Sequence, residues 1–140
     1  MKLAALYQIF QQCQSVTTDS RNCPAGSLFI ALKGASFNGN AFAGLALDSG
    51  CAYAIIDEAE YAVEGDRRYI LVDNCLQTMQ QLANYHRRQL GTRIIGITGT
   101  NGKTTTTSMI TSVYLASGRD FSSMIGGHMK QIDASYCIGK

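Results

Sequence analysis

An α/β protein is predicted: a small α/β domain, then the first strand, loop and helix of a second, phosphate-loop α/β unit. Three observations carry that reading. Short, mostly apolar runs at 27–32, 52–56, 69–72 and 94–97, the last of them β-branched, have the length of buried parallel strands. Segments with apolar residues at helical spacing lie between most of them, the alternation that a parallel sheet with crossover helices produces. Finally, residues 93–107, RIIGITGTNGKTTTT, join an apolar run to a glycine loop, a lysine and a helix start, in that order.

Along the chain, Leu3, Leu6, Tyr7 and Phe10 mark one face of an opening helix. Val16-Thr17-Thr18 and Ser27 to Leu32 read as strands, punctuated by Asn22, Pro24 and Gly26. Phe37-Asn38-Gly39-Asn40 predicts a polar turn. Asn40 is expected to cap a helix whose apolar face includes Phe42, Leu45 and Ala46 and which stops at Ser49-Gly50. Ala52 to Ile56 and Tyr69 to Val72 are the next strands. Asp73 is the expected cap of a helix carrying Leu76, Met79, Leu82, Ala83 and Leu90; Arg87 and Arg88 suit its last turn, and Gly91 ends it.

A domain boundary is therefore placed near Gly91, giving units 1–91 and 92–140. In the second, Ile94, Ile95 and Ile97 predict a buried parallel strand, and Met109, Ile110, Val113 and Tyr114 a helix stopped by Gly118. Residues 121–125 read as one more strand. The 49 residues from 92 to 140 are too few to cover both faces of a doubly wound sheet, so a truncated unit is expected.

Hydrophobic residues make up 46% and charged residues 16% of the 140, as in a soluble globular protein, and a net charge of +2 provides no nucleic-acid footprint. No apolar stretch has the length of a signal peptide or a membrane span. The expectation is a cytoplasmic monomer with neither nucleic acid nor membrane as partner. Cys13, Cys23, Cys51, Cys75 and Cys137 are scattered and odd in number, which argues for reduced thiols rather than a disulfide framework. With His86 and His128 as the imidazoles, a zinc site is not expected.

The phosphate loop is the shorter form, Gly99-x-x-Gly102-Lys103-Thr104, since position 97 is isoleucine. Gly99, Thr100, Asn101, Gly102, Lys103, Thr104 and Thr105 are its candidate nucleotide-binding residues. Backbone amides and the helix N-terminus would hold phosphate, Lys103 would reach the β- and γ-phosphates, and Thr104 or Thr105 would offer a hydroxyl to Mg²⁺. Four successive threonines are poor helix formers, which points to a helix start selected for hydroxyls. The competing reading is a solvated lysine in a glycine turn. A second polar cluster flanks the strand 27–32. Ser20, Arg21 and Lys33 could meet a diphosphate, while Asn38 and Asn40 bond a base or sugar; ordinary turn chemistry is the alternative.

These motifs together, Thr18-Asp19-Ser20-Arg21, then residues 24–34 (PAGSLFIALKG), then residues 37–42 (FNGNAF), then residues 97–105 (ITGTNGKTT), resemble the Mur ligases of bacterial peptidoglycan synthesis. The resemblance is strongest over roughly residues 1–106. It is closest to the branch that adds D-alanyl-D-alanine to a UDP-N-acetylmuramoyl-tripeptide, with the diamino-acid-adding branch next. The resemblance implies a three-domain, ATP- and Mg²⁺-dependent amide ligase with a UDP-sugar domain (1–91), an ATPase domain (begun at 92–140) and an acceptor domain. It further implies that ATP phosphorylates the carboxylate of the UDP-N-acetylmuramoyl-peptide and that the acyl phosphate is attacked by the amine of D-alanyl-D-alanine. Lys103 and Thr104 would be the catalytic pair, with Thr104 the metal ligand, and Ser20 and Arg21 match the UDP-sugar motif.

Two departures stand out. Many relatives carry Asp-Gly-His where this chain has Asn38-Gly39-Asn40, and residues 108–127 look more like the L-alanine-adding branch, which usually has histidine at position 101. Such a change of character at the loop is expected of a natural variant, a recombinant or two joined homologous sequences. Other readings are another Mur ligase, or a non-catalytic UDP-sugar-binding module. An unrelated phosphate-loop kinase fits the short loop and the polar first domain poorly.

Overall fold

The computed structural model describes residues 2–91, 93–130 and 132–139. It forms two compact units, Met1–Thr92 and Arg93–Lys140. Position 92, at the boundary drawn from the sequence, lies outside the described residues.

The first unit is a four-stranded parallel sheet with helices packed on it. Its strands are β1 (Val16–Thr17), β2 (Leu28–Ile30), β3 (Tyr53–Ile56) and β4 (Tyr69–Leu71), in spatial order β1-β2-β3-β4. Pairing sets Phe29 beside Ala54 and Ile55 beside Ile70. Because a parallel strand covered on both faces has no solvent side, its sequence is continuously apolar. Leu28, Phe29 and Ile30, like Ala54, Ile55 and Ile56, are all essentially inaccessible. Burying each such branched side chain stabilises the fold by about 1.5–3 kcal/mol.

Three helices surround the sheet. Helix α1 (Leu3–Gln12) buries Leu6 and Tyr7 and packs against α3 (Cys75–Leu90); Tyr7 meets Tyr85 at 4.9 Å between ring centroids, and its hydroxyl lies 3.0 Å from His86 Nδ1. Helix α2 (Ala43–Asp48) connects β2 to β3 and follows a 3-10 turn at Gly39–Phe42. Its buried side is Ala43, Ala46 and Leu47, so the expected face is corrected: Phe42 and Leu45 are exposed. Ala43 and Ala46 let this short helix sit close to the sheet beside Leu47, while Phe42 and Leu45 turn outward. Two caps also move by one or two residues. The Asn38 side chain, not that of Asn40, accepts a capping N–H, and it caps the 3-10 turn while α2 has no side-chain cap; Asn74 rather than Asp73 caps α3. In each case the neighbouring residue has another task or faces solvent. Gly91 closes α3 at φ +63°, in the left-handed region that glycine adopts without strain.

The second unit has α4 (Lys103–Ser117), closed by Gly118 in the left-handed conformation, followed by an antiparallel pair, β5 (Ser123–Met129) and β6 (Ala134–Cys137). Helix α4 packs on β5, and among the described residues of this unit Thr111 of the helix and Ile125 and Met129 of the strand are buried. Two expectations are corrected here. Ile94, Ile95 and Ile97 form no strand among the described residues, and Ile94 and Ile95 are 62% and 64% exposed. A central parallel strand takes its hydrogen bonds from neighbours on both sides, whereas β5 and β6 pair only with each other. Met109 and Val113 likewise face outward, while the Thr111 side of α4 meets the hairpin. Among the described residues no helix is long and apolar enough to cross a membrane.

Candidate functional site

In an open parallel sheet the loops at the carboxyl ends of the strands gather at one edge, where such folds bind ligands. Here those loops carry Thr18 to Arg21 after β1, Lys33 to Asn40 after β2, and Asp57 and Glu58 after β3. The expected polar cluster therefore does fall on one edge. It divides into a cleft and a closed network.

The cleft has a volume of about 470 Å³, within the range of small-molecule sites. Its polar wall is Thr18, Asp19, Ser20 and Arg21. Phe29, Phe37, Phe42 and Leu45 supply an apolar wall, with Gly39 between. Asp19 shapes the polar loop: its Oδ1 accepts from the Arg21 backbone N–H (3.0 Å) and Nε (2.9 Å), and its Oδ2 from Nη2 (2.9 Å). The hydrogen bonds from Arg21 hold the Asp19 carboxyl down to about 2, so the loop carries a formed ion pair throughout the neutral range. The Ser20 hydroxyl takes no partner among the described residues. The sequence pattern makes Phe42 and Leu45 a helix face and Phe37 part of a turn. Their exposure beside a polar loop follows from α2 burying Ala43 and Ala46 instead.

Lys33, Asn38 and Asn40 do not line this cleft. They converge on two carboxylates that the sequence reading did not single out, Asp57 and Glu58. Lys33 Nζ lies 3.0 Å from Asp57 Oδ1 and 3.1 Å from Glu58 Oε1. Asn38 Nδ2 donates to Glu58 Oε2 at 2.6 Å, and its Oδ1 accepts from the Asn40 N–H and Nδ2. Asn40, 1% exposed, donates to Asp57 Oδ1 (2.9 Å) and accepts the Asp57 N–H (2.9 Å); Cys75 N–H donates to Asp57 Oδ2 (3.1 Å). The network pins the loop after β2 to the end of β3 and the start of α3. Burial alone would raise the Asp57 carboxyl, but the Cys75 N–H, the Asn40 amide and the Lys33 ammonium outweigh it and hold the group below its ordinary value. Burial, with Asp57 nearby, pushes the Cys75 thiol up to about 12, so it is an inert structural thiol.

The expectation that Lys33 joins Ser20 and Arg21 on a diphosphate thus gives way to an ammonium already shared by two carboxylates. Position 40 is also occupied within the protein, so the departure from Asp-Gly-His falls at a residue bonded to Asp57 rather than one lining the cleft. A signal for this lay in the sequence: an Asp-Glu pair directly after the apolar run 53–56, at a parallel strand's carboxyl end.

In the second unit, Gly99 and Gly102 adopt φ +143° and +77°, and the loop between them opens into α4. Thr106 donates the first bond of the helix, to the Gly102 carbonyl (2.9 Å), so the amides of Lys103, Thr104 and Thr105 precede the helical ladder. Lys103 Nζ folds back over the loop and donates to the carbonyls of Gly99 and Thr100. Thr107 spends its hydroxyl on the Lys103 carbonyl (2.8 Å), whereas the Thr104 hydroxyl is exposed and takes no partner among the described residues. One ammonium, free amides and an unspent hydroxyl thus share one helix start.

Residues 12–87 match the family model described as Mur ligase family, catalytic domain, and residues 97–136 match the Mur ligase middle domain. The chain belongs to the Mur ligase family. Its similar relatives include UDP-N-acetylmuramoyl-tripeptide--D-alanyl-D-alanine ligase of Bacillus subtilis (strain 168), 44% identical over 98 residues that cover 70% of this chain and 21% of that protein. UDP-N-acetylmuramoyl-L-alanyl-D-glutamate--2,6-diaminopimelate ligase of Geobacillus kaustophilus (strain HTA426) is 40% identical over 120 residues, covering 84% of this chain and 24% of that one. Among solved Mur ligases, MurF of Acinetobacter baumannii superposes with a TM-score of 0.66 at 28% identity, over 82% of this chain and 27% of that one. MurF ligase of Thermotoga maritima in complex with ADP reaches 0.72 at 24% identity, over 91% and 27%. The α/β class read from the sequence agrees with these Mur ligase folds. The chain spans between a fifth and a quarter of the length of the curated relatives named here.

Proposed function

We propose that this chain carries the UDP-sugar site and the phosphate loop of an ATP-dependent ligase of peptidoglycan synthesis, one that adds D-alanyl-D-alanine to UDP-N-acetylmuramoyl-tripeptide. The observation that carries the reading is the cleft at the carboxyl edge of the parallel sheet, where a cation and a free hydroxyl face a wall of exposed aromatic side chains. A uridine diphosphate has that same division, a planar base at one end and two phosphates at the other. Arg21 would bond the diphosphate with its guanidinium and Ser20 with its hydroxyl, while Phe37 and Phe42 offer faces to the base. Lys33, Asn38 and Asn40 then serve the site indirectly, by fixing the loop that presents Phe37, Gly39 and Phe42.

At the phosphate loop the residues fit a magnesium nucleotide. Thr104 would offer its unspent hydroxyl to the metal, and the loop amides with Lys103 would hold the β- and γ-phosphates. Bound Mg²⁺ would neutralise charge on the phosphate oxygens during transfer. Lys103 would leave the Gly99 and Thr100 carbonyls for the transferred phosphoryl group, a positioning and electrostatic role. Phosphorylation of the substrate carboxylate would give an acyl phosphate, which the incoming amine attacks with loss of phosphate. The identity to the Bacillus subtilis relative favours the D-alanyl-D-alanine branch; the longer match to the Geobacillus relative supports the diamino-acid branch as the second reading.

Calorimetry of the 140-residue chain with UDP-N-acetylmuramoyl-tripeptide tests the first site. Arg21→Ala is expected to weaken binding about tenfold, the loss of one charge-assisted contact. Affinity unchanged in Arg21→Ala would remove the UDP-sugar assignment. With ATP, Mg²⁺ and D-alanyl-D-alanine added, binding without phosphate release is expected of the chain alone.

A further inference from the structure

Gly126 and Gly127 are adjacent in β5, and neither has a positive φ, so no backbone conformation demands glycine at either place. Their surroundings differ. A Cβ at Gly126 would meet nothing within 4 Å, while one at Gly127 would fall 3.0 Å from Thr104 Cγ2 and 3.9 Å from Thr104 Oγ1. The strand's alternation explains the contrast: Ile125, Gly127 and Met129 lie on one face, with Ile125 and Met129 buried, and Gly126 lies on the other. Glycine inside a strand weakens it and commonly marks a bulge or a close approach by another group, and the pairing of β5 with β6 is irregular between Met124 and Met129. Here the approaching group is the side chain of Thr104, in the first turn of α4.

We propose that Gly127 is a positioning residue for the Thr104 hydroxyl. Thr104 is branched at Cβ, so its methyl and hydroxyl are set by one χ1 angle and cannot move independently. A side chain at 127 pushes the methyl, and the rotation that relieves the contact carries the hydroxyl to a different place. Gly127 thereby preserves the rotamer in which Thr104 can meet a nucleotide-bound cation. This rests on the assignment of Thr104 to Mg²⁺ made above.

The test titrates ATP into the 140-residue chain, once with Mg²⁺ and once with EDTA. Gly127→Ala is expected to weaken binding about tenfold in Mg²⁺, the scale of an altered supporting contact at a metal site, and to leave binding in EDTA unchanged. Gly126→Ala should match the wild type. Thr104→Ser keeps the hydroxyl and deletes the methyl, so Thr104→Ser/Gly127→Ala should bind like Thr104→Ser alone, a rescue that general destabilisation would not produce. Without ligand, the NMR γ-methyl shift and χ1 couplings of Thr104 should change in Gly127→Ala and not in Gly126→Ala. Equal Mg²⁺-dependent binding by Gly127→Ala and Gly126→Ala, no rescue by Thr104→Ser, or an unmoved Thr104 methyl overturns the inference while the parent reading stands. A wild-type chain that binds ATP equally with and without Mg²⁺ overturns the parent reading and the role of Gly127 with it.

Discussion

Ile55 and Ile95 each lie in a short apolar run followed by a polar loop, yet one is inaccessible and the other 64% exposed. The difference is in the neighbours. Ile55 lies in β3, with β2 on one side and β4 on the other and with helices packed on the sheet. Ile95 has no paired strand among the described residues. An apolar run thus expresses a tendency to become a strand, and partners that accept its backbone hydrogen bonds decide whether it does. The polar parts of the two units differ in the same sense. Around Asp57, the Lys33 ammonium, the Asn38 and Asn40 amides and the two carboxylates bond one another, whereas at the phosphate loop an ammonium rests on its own carbonyls and a hydroxyl is unspent. The first network fixes a loop, whereas the second leaves groups that a ligand can reach.

The contrast can be broken first in the core. Ile55→Ala should cost about 3 kcal/mol, a typical buried truncation, and should collapse amide-exchange protection at Leu28, Phe29 and Ile30. Protection unchanged there would mean that β3 is not the centre of the first unit. The network comes next. Asp57→Ala leaves the Asn40 amide and the Cys75 N–H without their acceptor and should cost about 2 kcal/mol at neutral pH. Because the folded carboxyl titrates below its ordinary 3.8, the folded state holds fewer protons than the unfolded one near that pH. The stabilisation is complete above about pH 4 and is lost as pH falls through the lower, folded value. The gap between wild type and Asp57→Ala, read by the same protected amides, should therefore narrow on acidification. A gap that widened would contradict the ion-pair account. The smallest effect belongs to Ile95→Ala, expected within about 0.5 kcal/mol because the side chain is already in water in this structure. A loss comparable with that of Ile55→Ala would show that residues 94–97 bury themselves after all.

Much of the fold was legible where its signals are local. The glycines at 91 and 118 stop helices by adopting φ near +65°, which side chains resist, and that can be read without knowing the fold. The strands 28–30, 53–56 and 69–71 are short apolar runs bounded by turn residues. The turn that carries Ser20 and Arg21 was also legible, since Asp19, one and two positions away, organises it. Asn40 was not, because a buried asparagine and a capping asparagine look alike until its partner, 17 residues away, is known. The same holds for Lys33, whose cation is committed to carboxylates 24 and 25 residues distant, at positions 57 and 58.

The amino-acid sequence by itself determined the α/β alternation, the helix stops, the glycine loop with its lysine and the family resemblance, all of which depend on residues close together in the chain. Only tertiary structure decided which strands found partners, which asparagine was buried, which lysine was already neutralised and which glycine faced Thr104. Those outcomes turn on hydrogen bonds and steric contacts between segments far apart in sequence, where each group's role is set by whatever the fold places against it.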